Sequence, residues 1–202
     1  TTGVQNTLIG GLAGDAITTG NYNLAIGHQA LSATTTANYN VAVGRSALFT
    51  NILGSHSTAI GISALETQNY ATATAAYNVA VGHEAGLSVT TGIQNTFIGG
   101  LAGDANTTAN NNTAVGKSSL SATTTGGENT AVGTNALATN TTASNNTAVG
   151  TNALKVNTTG ANNVAVGSLA LDANTTASNN TAVGYAAGTA ITTGTQNTLI
   201  GG

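Results

Sequence analysis

Three groups of residues in this chain are of types that do chemistry elsewhere, and their spacing decides what they can do here. Gly116-Lys117-Ser118 has the last residues of a phosphate-cradling loop, in which the Lys and a hydroxyl meet a nucleotide phosphate and its magnesium. That loop also requires a glycine five residues earlier and a helix afterwards. Asn111 stands in the first place and no helical pattern follows, so Lys117 reads as an exposed side chain at a bend. The stretch GGLAGD at 10–15 and again at 99–104 resembles calcium-binding rolls but is not in the nonapeptide register. A calcium ion wants six to eight oxygens. Asp15, Glu66, Asp104 and Asp172 lie too far apart along the chain to supply them together. His28, His56 and His83 are scattered, and His83-Glu84 and Ser55-His56-Ser57 have no third partner to build a triad or a zinc site. The sequence therefore predicts no catalytic residue, no metal site, no cofactor and no enzyme.

The elements that hold these residues explain the scatter. A short phrase, N-[TV]-A-[VI]-G, returns along the whole chain, and its closing glycines fall at Gly10, Gly27, Gly44, Gly61, Gly82, Gly99, Gly116, Gly133, Gly150, Gly167, Gly184 and Gly201. Every interval is 17 residues except Gly61 to Gly82, which is 21. One repeat accounts for residues 1–202, with a single four-residue insertion within 66–78.

With the opening Asn as position 1, that position is Asn in eleven copies and Ser57 in the other, and position 4 is Val or Ile in all twelve. Position 2 is Thr or Val except at Leu24, the β-branched chemistry that suits a pleated strand. A second short strand is expected at positions 8 and 9, as in Ala153-Leu154, followed by Thr-Thr at 13 and 14, as in Thr158-Thr159. Seventeen residues are too few for strand-helix-strand units. The repeat predicts an all-β chain, a parallel β-solenoid of about twelve coils, stacked about 4.8 Å apart into a rod segment roughly 55 Å long.

Side-chain volumes say which positions meet inside. Position 3 is Ala in nine copies but large at Leu8, Phe97 and Leu199; position 9 is usually Leu but Gly at Gly14, Gly86, Gly103 and Gly188. Each of these glycines falls in the same turn as a large residue at position 3 or in the turn just before, as conservation of a shared volume requires. Positions 3 and 9 are expected to face each other. Alternation then sends positions 2 and 4 outward. A ladder of Ile9, Ile26, Val43, Ile60, Val81, Ile98, Val115, Val132, Val149, Val166, Val183 and Ile200 would stand on the outer surface, too long an apolar stripe to leave in water. The expectation is a subunit interface in a closed symmetric assembly.

Composition narrows the function classes. Charged residues are 4 % and aromatics 3 %; Pro, Cys, Met and Trp are absent, against roughly 25 % charge in ordinary soluble domains. The net charge is −3 with only Arg45, Lys117 and Lys155 positive, so no basic stripe exists for nucleic acid. No apolar run is long enough to insert in a membrane. The chain starts and stops in mid-repeat, TTGVQNTLIGG at 1–11 matching TTGTQNTLIGG at 192–202 at all but one position, as a segment of a longer protein would.

The phrase N-T-A-V-G-x-x-A-L, as at 146–154, resembles the head repeat of trimeric autotransporter adhesins, the YadA-like left-handed parallel β-roll. It is still more similar to repeat arrays of phage and marine bacterial fibre proteins that precede an endosialidase-type chaperone domain. The resemblance covers essentially the whole chain. It implies a homotrimer in which three rolls associate around a threefold axis with Val43, Val81, Val115, Val149 and their equivalents near it, in an extracellular cell-surface appendage or virion tail fibre. The adhesin repeat is a few residues shorter, so the extra length is expected to widen a corner near the Thr-Thr segment.

Two functions follow as expectations: a fibre or adhesin shaft, or a module whose outer Thr/Asn face binds host glycans or matrix. His56, Tyr70 and Tyr77 around the insertion, with Tyr185, are the candidate surface epitope, because aromatics are scarce and cluster there. Ice binding is a third alternative, set back by the interruption of Thr-Thr at Ile52-Leu53.

Overall fold

The computed structural model describes residues 2–201. Positions 2–4 of every repeat form a three-residue strand, from Thr7–Ile9 through Thr147–Val149 to Thr198–Ile200. All twelve join one sheet in chain order. Each pairs in parallel with the next and like positions coincide, Thr130 with Thr147, Ala131 with Ala148 and Val132 with Val149. Twelve strands bound about eleven turns of a parallel β-solenoid, with no helix among the described residues.

The glycine after each strand turns the chain at φ between 123° and 139°, where an L side chain is strained. Space forbids one too: a β-carbon on Gly10 would lie 2.8 Å from the carbonyl of Gly27 in the next turn.

The second strand expected at positions 8 and 9 does not form. Gln29 and Leu31, at positions 7 and 9, have φ of 61° and 53°. The Ala30 N–H closes a tight turn onto Gly27 O at 3.3 Å, and Leu31 N–H reaches up to Ala47 O at 3.0 Å. The reason lies in burial. Ala30 and Leu31 are both fully buried, whereas a pleated strand would send neighbours to opposite faces. The left-handed kink lets both point inward.

Positions 3 and 9 do meet in the core. A β-carbon on Gly14 would come 2.7 Å from Leu8, and one on Gly86 would come 2.8 Å from Phe97. Ordinary copies hold Leu at position 9 in the same left-handed conformation, Leu137 at 51° and Leu154 at 50°. Gly86 and Gly103 are therefore needed for the room they leave, and Phe97, fully buried, fills it.

The opening Asn is structural. In turn after turn its amide nitrogen donates to the position-15 carbonyl, as Asn146 Nδ2 to Gly160 O at 2.9 Å. Its oxygen accepts the next copy's backbone N–H, as from Asn163 N at 3.0 Å. A column of buried amides thus ties strand to corner and turn to turn.

Where Ser57 replaces Asn, the insertion compensates. Buried Gln68 donates to Asn51 Oδ1 at 3.2 Å and Ser57 Oγ at 3.1 Å, and accepts from Asn78 Nδ2 at 2.9 Å. The loop is held by a two-stranded pairing of Gly54–Ser55 with Thr74–Ala75. Tyr70, expected on the surface, is only 7 % exposed. Its ring lies over Gly54, where a β-carbon would be 2.8 Å away, and its hydroxyl donates to Gly92 O at 2.8 Å. Desolvation pushes the phenol up to about 12, against a smaller opposing pull from Asn78.

Candidate functional site

The outward face of the large sheet is built by strand alternation. The position-3 residue is buried while its neighbour at position 4 is not: Val149 beside Ala148 is 37 % exposed and Ile98 beside Phe97 40 %. The position-4 column runs through all twelve strands in register without a charged residue. Its members shield one another along the rod, and Ile26, Val43, Val81 and Val115 are half-buried. Position 2 supplies the flanking column of Thr and Val, as in Thr147 and Val164.

A second feature lies at position 17, just before the buried Asn. All twelve residues there adopt φ between 51° and 62°. Asn tolerates that region, as at Asn111 and Asn145, but a left-handed aromatic residue costs about 1–2 kcal/mol. Four successive copies are nevertheless Tyr22, Tyr39, His56 and Tyr77. Their rings form one column with successive centroids 5.0 Å apart, Tyr22 and Tyr39 nearly parallel at 4°. The stacked Tyr22–Tyr39 pair returns about 0.5–1.5 kcal/mol. Because the rings cover one another's faces, the column presents edges and hydroxyls to solvent.

Of the expected epitope, His56 and Tyr77 are thus joined in the column, Tyr70 is interior, and Tyr185 stands apart at 69 % exposure. Sequence reasoning missed Tyr22 and Tyr39. Their signal was the 17-residue spacing that aligns both with His56.

The other chemical candidates remain separate. His83 Nε2 is 3.6 Å from Glu84 Oε1, and among the described residues no three His, Cys, Asp or Glu converge on a metal position. Burial is the largest influence on Asp104, raising its carboxyl above the usual range, with Glu84 adding like charge. Thr hydroxyls at position 13 donate to the next turn's backbone, as Thr107 Oγ1 to Thr124 O at 3.1 Å and Thr158 Oγ1 to Thr175 O at 3.0 Å. No helix among the described residues is long and apolar enough to cross a membrane.

One polar groove of about 270 Å³ opens beside Gly127, between Thr108, Asn111, Glu128 and Asn145. Elsewhere a side chain at position 16 accepts the preceding turn's N–H, as Ser144 Oγ from Gly127 at 3.1 Å and Ser178 Oγ from Ala161 at 3.0 Å. Gly127 has none to offer Asn110.

No family model, curated protein or solved structure matches the chain.

Proposed function

We propose that the chain is a non-enzymatic shaft segment of an extracellular fibre or adhesin, in which three copies wind as left-handed rolls around a common axis and hold a binding element away from a virion or cell. The observation that carries this reading is the unbroken, uncharged position-4 column, twelve rungs long. Water is a poor neighbour for such a stripe. Rotational symmetry lets identical columns cover one another along their whole length. Length is then the property being built, and near-identical turns are the means.

The test is the solution mass of residues 1–202 by light scattering, beside a variant carrying Val149→Asp and Val166→Asp. A trimer that dissociates or aggregates in the variant places the column at the subunit interface. A well-folded monomer in both sinks the trimer. It would favour instead a single-chain module that binds polyhydroxylated surface ligands, with the groove beside Gly127 as its first candidate subsite.

A further inference from the structure

We propose that Tyr22 and Tyr39 are a site of oxidative cross-linking, joined by a carbon–carbon dityrosine bond that staples one turn of the solenoid to the next. This inference needs only the aromatic column and stands independently of the fibre reading.

The chain has five tyrosines and no cysteine, so disulfide chemistry is closed to it. Geometry singles out one pair. Tyr22 and Tyr39 sit one turn apart, their backbones pegged by Tyr22 N–H to Val4 O at 3.2 Å and Tyr39 N–H to Asn21 O at 3.1 Å. Their rings are held 5.0 Å apart at 4°, and both are about half exposed, at 49 % and 53 %. An oxidant can reach both. Bond formation then needs the rings to slide from this face-to-face arrangement to an edge-to-edge approach, on the side where both are open to solvent. The other tyrosines lack one requirement each. Tyr77 is separated from Tyr39 by His56, Tyr70 is buried, and Tyr185 is exposed but stacks on no other ring.

In the reaction each phenol gives up one electron and its hydroxyl proton, leaving two phenoxyl radicals. These couple through the ring carbons ortho to oxygen. The hydrogen on each coupling carbon then moves to its ring oxygen, restoring both phenols. The two electrons and two protons reduce one hydrogen peroxide, acting through a haem peroxidase, to two waters. The chain loses two hydrogens. Holding the partners one rung apart makes the coupling effectively unimolecular, so it outpaces coupling between chains in dilute solution.

The experiment treats the folded protein, at dilute concentration, with a haem peroxidase and limiting hydrogen peroxide. Dityrosine fluorescence, intact mass and elastase peptides are read; trypsin is unsuitable because Tyr22 and Tyr39 both precede Arg45. The expected product has the mass of one chain less two hydrogens, a linked peptide pair containing Tyr22 and Tyr39, and a raised Tm. Tyr22→Phe or Tyr39→Phe, which keep the stacked ring, should each lower the fluorescence about tenfold or more. Tyr77→Phe and Tyr185→Phe should leave it unchanged. His56→Tyr, which restores a phenol between Tyr39 and Tyr77, should add linked peptides containing Tyr77. Undiminished fluorescence in Tyr39→Phe, cross-links running through Tyr185 between chains, or no dityrosine while a blocked tyrosine control couples under the same conditions would each overturn the proposal.

Discussion

A residue's meaning in this chain depends on what its equivalents one turn away are doing. Asp104 shows this most clearly. Its column holds Leu87 below and Ser121 above, so it gains no opposite charge, and Glu84 lies close enough to oppose its ionisation. Burial first and Glu84 next raise its carboxyl, so the folded protein holds that proton more tightly than the unfolded chain does. The associated stability is fully present below the ordinary Asp pKa of about 3.9 and is lost as pH rises through the raised folded value. Asp104→Asn removes the charge without changing the shape. It should stabilise the fold at pH 7, by no more than a few tenths of a kcal/mol because solvent screens a partly exposed group, and raise the melting temperature accordingly. The gain should vanish near pH 3 in the same thermal melts. An equal gain at both values would mean that the amide acts through packing instead. Tyr70 titrates in the opposite part of the scale. Its raised phenol, at about 12, adds stability that holds up to pH 10 and fades between there and about 12.

At the scale of the single turn, the exchange of volume between positions 3 and 9 shows how the core is specified. Phe97→Ala alone should cost about 3–5 kcal/mol, the usual penalty for emptying an aromatic site. Gly103→Leu alone overpacks against Phe97 and should cost about 1–3 kcal/mol. Combined, they rebuild the ordinary Ala–Leu turn, so the double variant should be more stable than the sum of the two by about 1–3 kcal/mol. Urea titrations of the four proteins measure the coupling, and additive losses would show that the two side chains do not share one space. This exchange was legible in the sequence because it compares volumes among repeats and needs no backbone angle. The second strand was misread for the complementary reason. Ala-Leu is a plausible strand dipeptide, and nothing in its letters reveals the left-handed kink at Leu31 that buries both. The aromatic column was hidden in the same way, since Tyr, His, Gln, Asn and Glu share position 17 with no common chemistry, only a common backbone conformation. Tyr70 and Gln68 lay within the one segment that has no repeat to compare with.

Across the whole molecule, contacts run almost entirely between neighbouring turns, so stability is a chain of nearest-neighbour terms. Each ladder is satisfied by whichever equivalent residue arrives above or below it. Asn129 needs an Asn at the next position 1, and Asn163 serves that need as well as Asn146 does. Val132 needs a β-branched neighbour, which Val166 supplies. Deleting residues 134–150 joins Gly133 to Thr151, position 5 to position 6, and removes one turn in phase. The shortened protein should fold with the same parallel pairing, a rod shorter by about 4.8 Å and an unchanged cross-section in solution scattering. Its stability should fall only by one turn's share. Deleting residues 134–141 removes fewer residues but brings position 14 to position 5. The nine-residue remnant cannot carry the chain round the coil, so the Asn and Leu ladders break at that one junction, and that variant should lose far more than one turn's share of stability. If the in-phase deletion unfolded as readily as the out-of-phase one, stability would have to rest on particular turns, and the view of the chain as interchangeable rungs would fail.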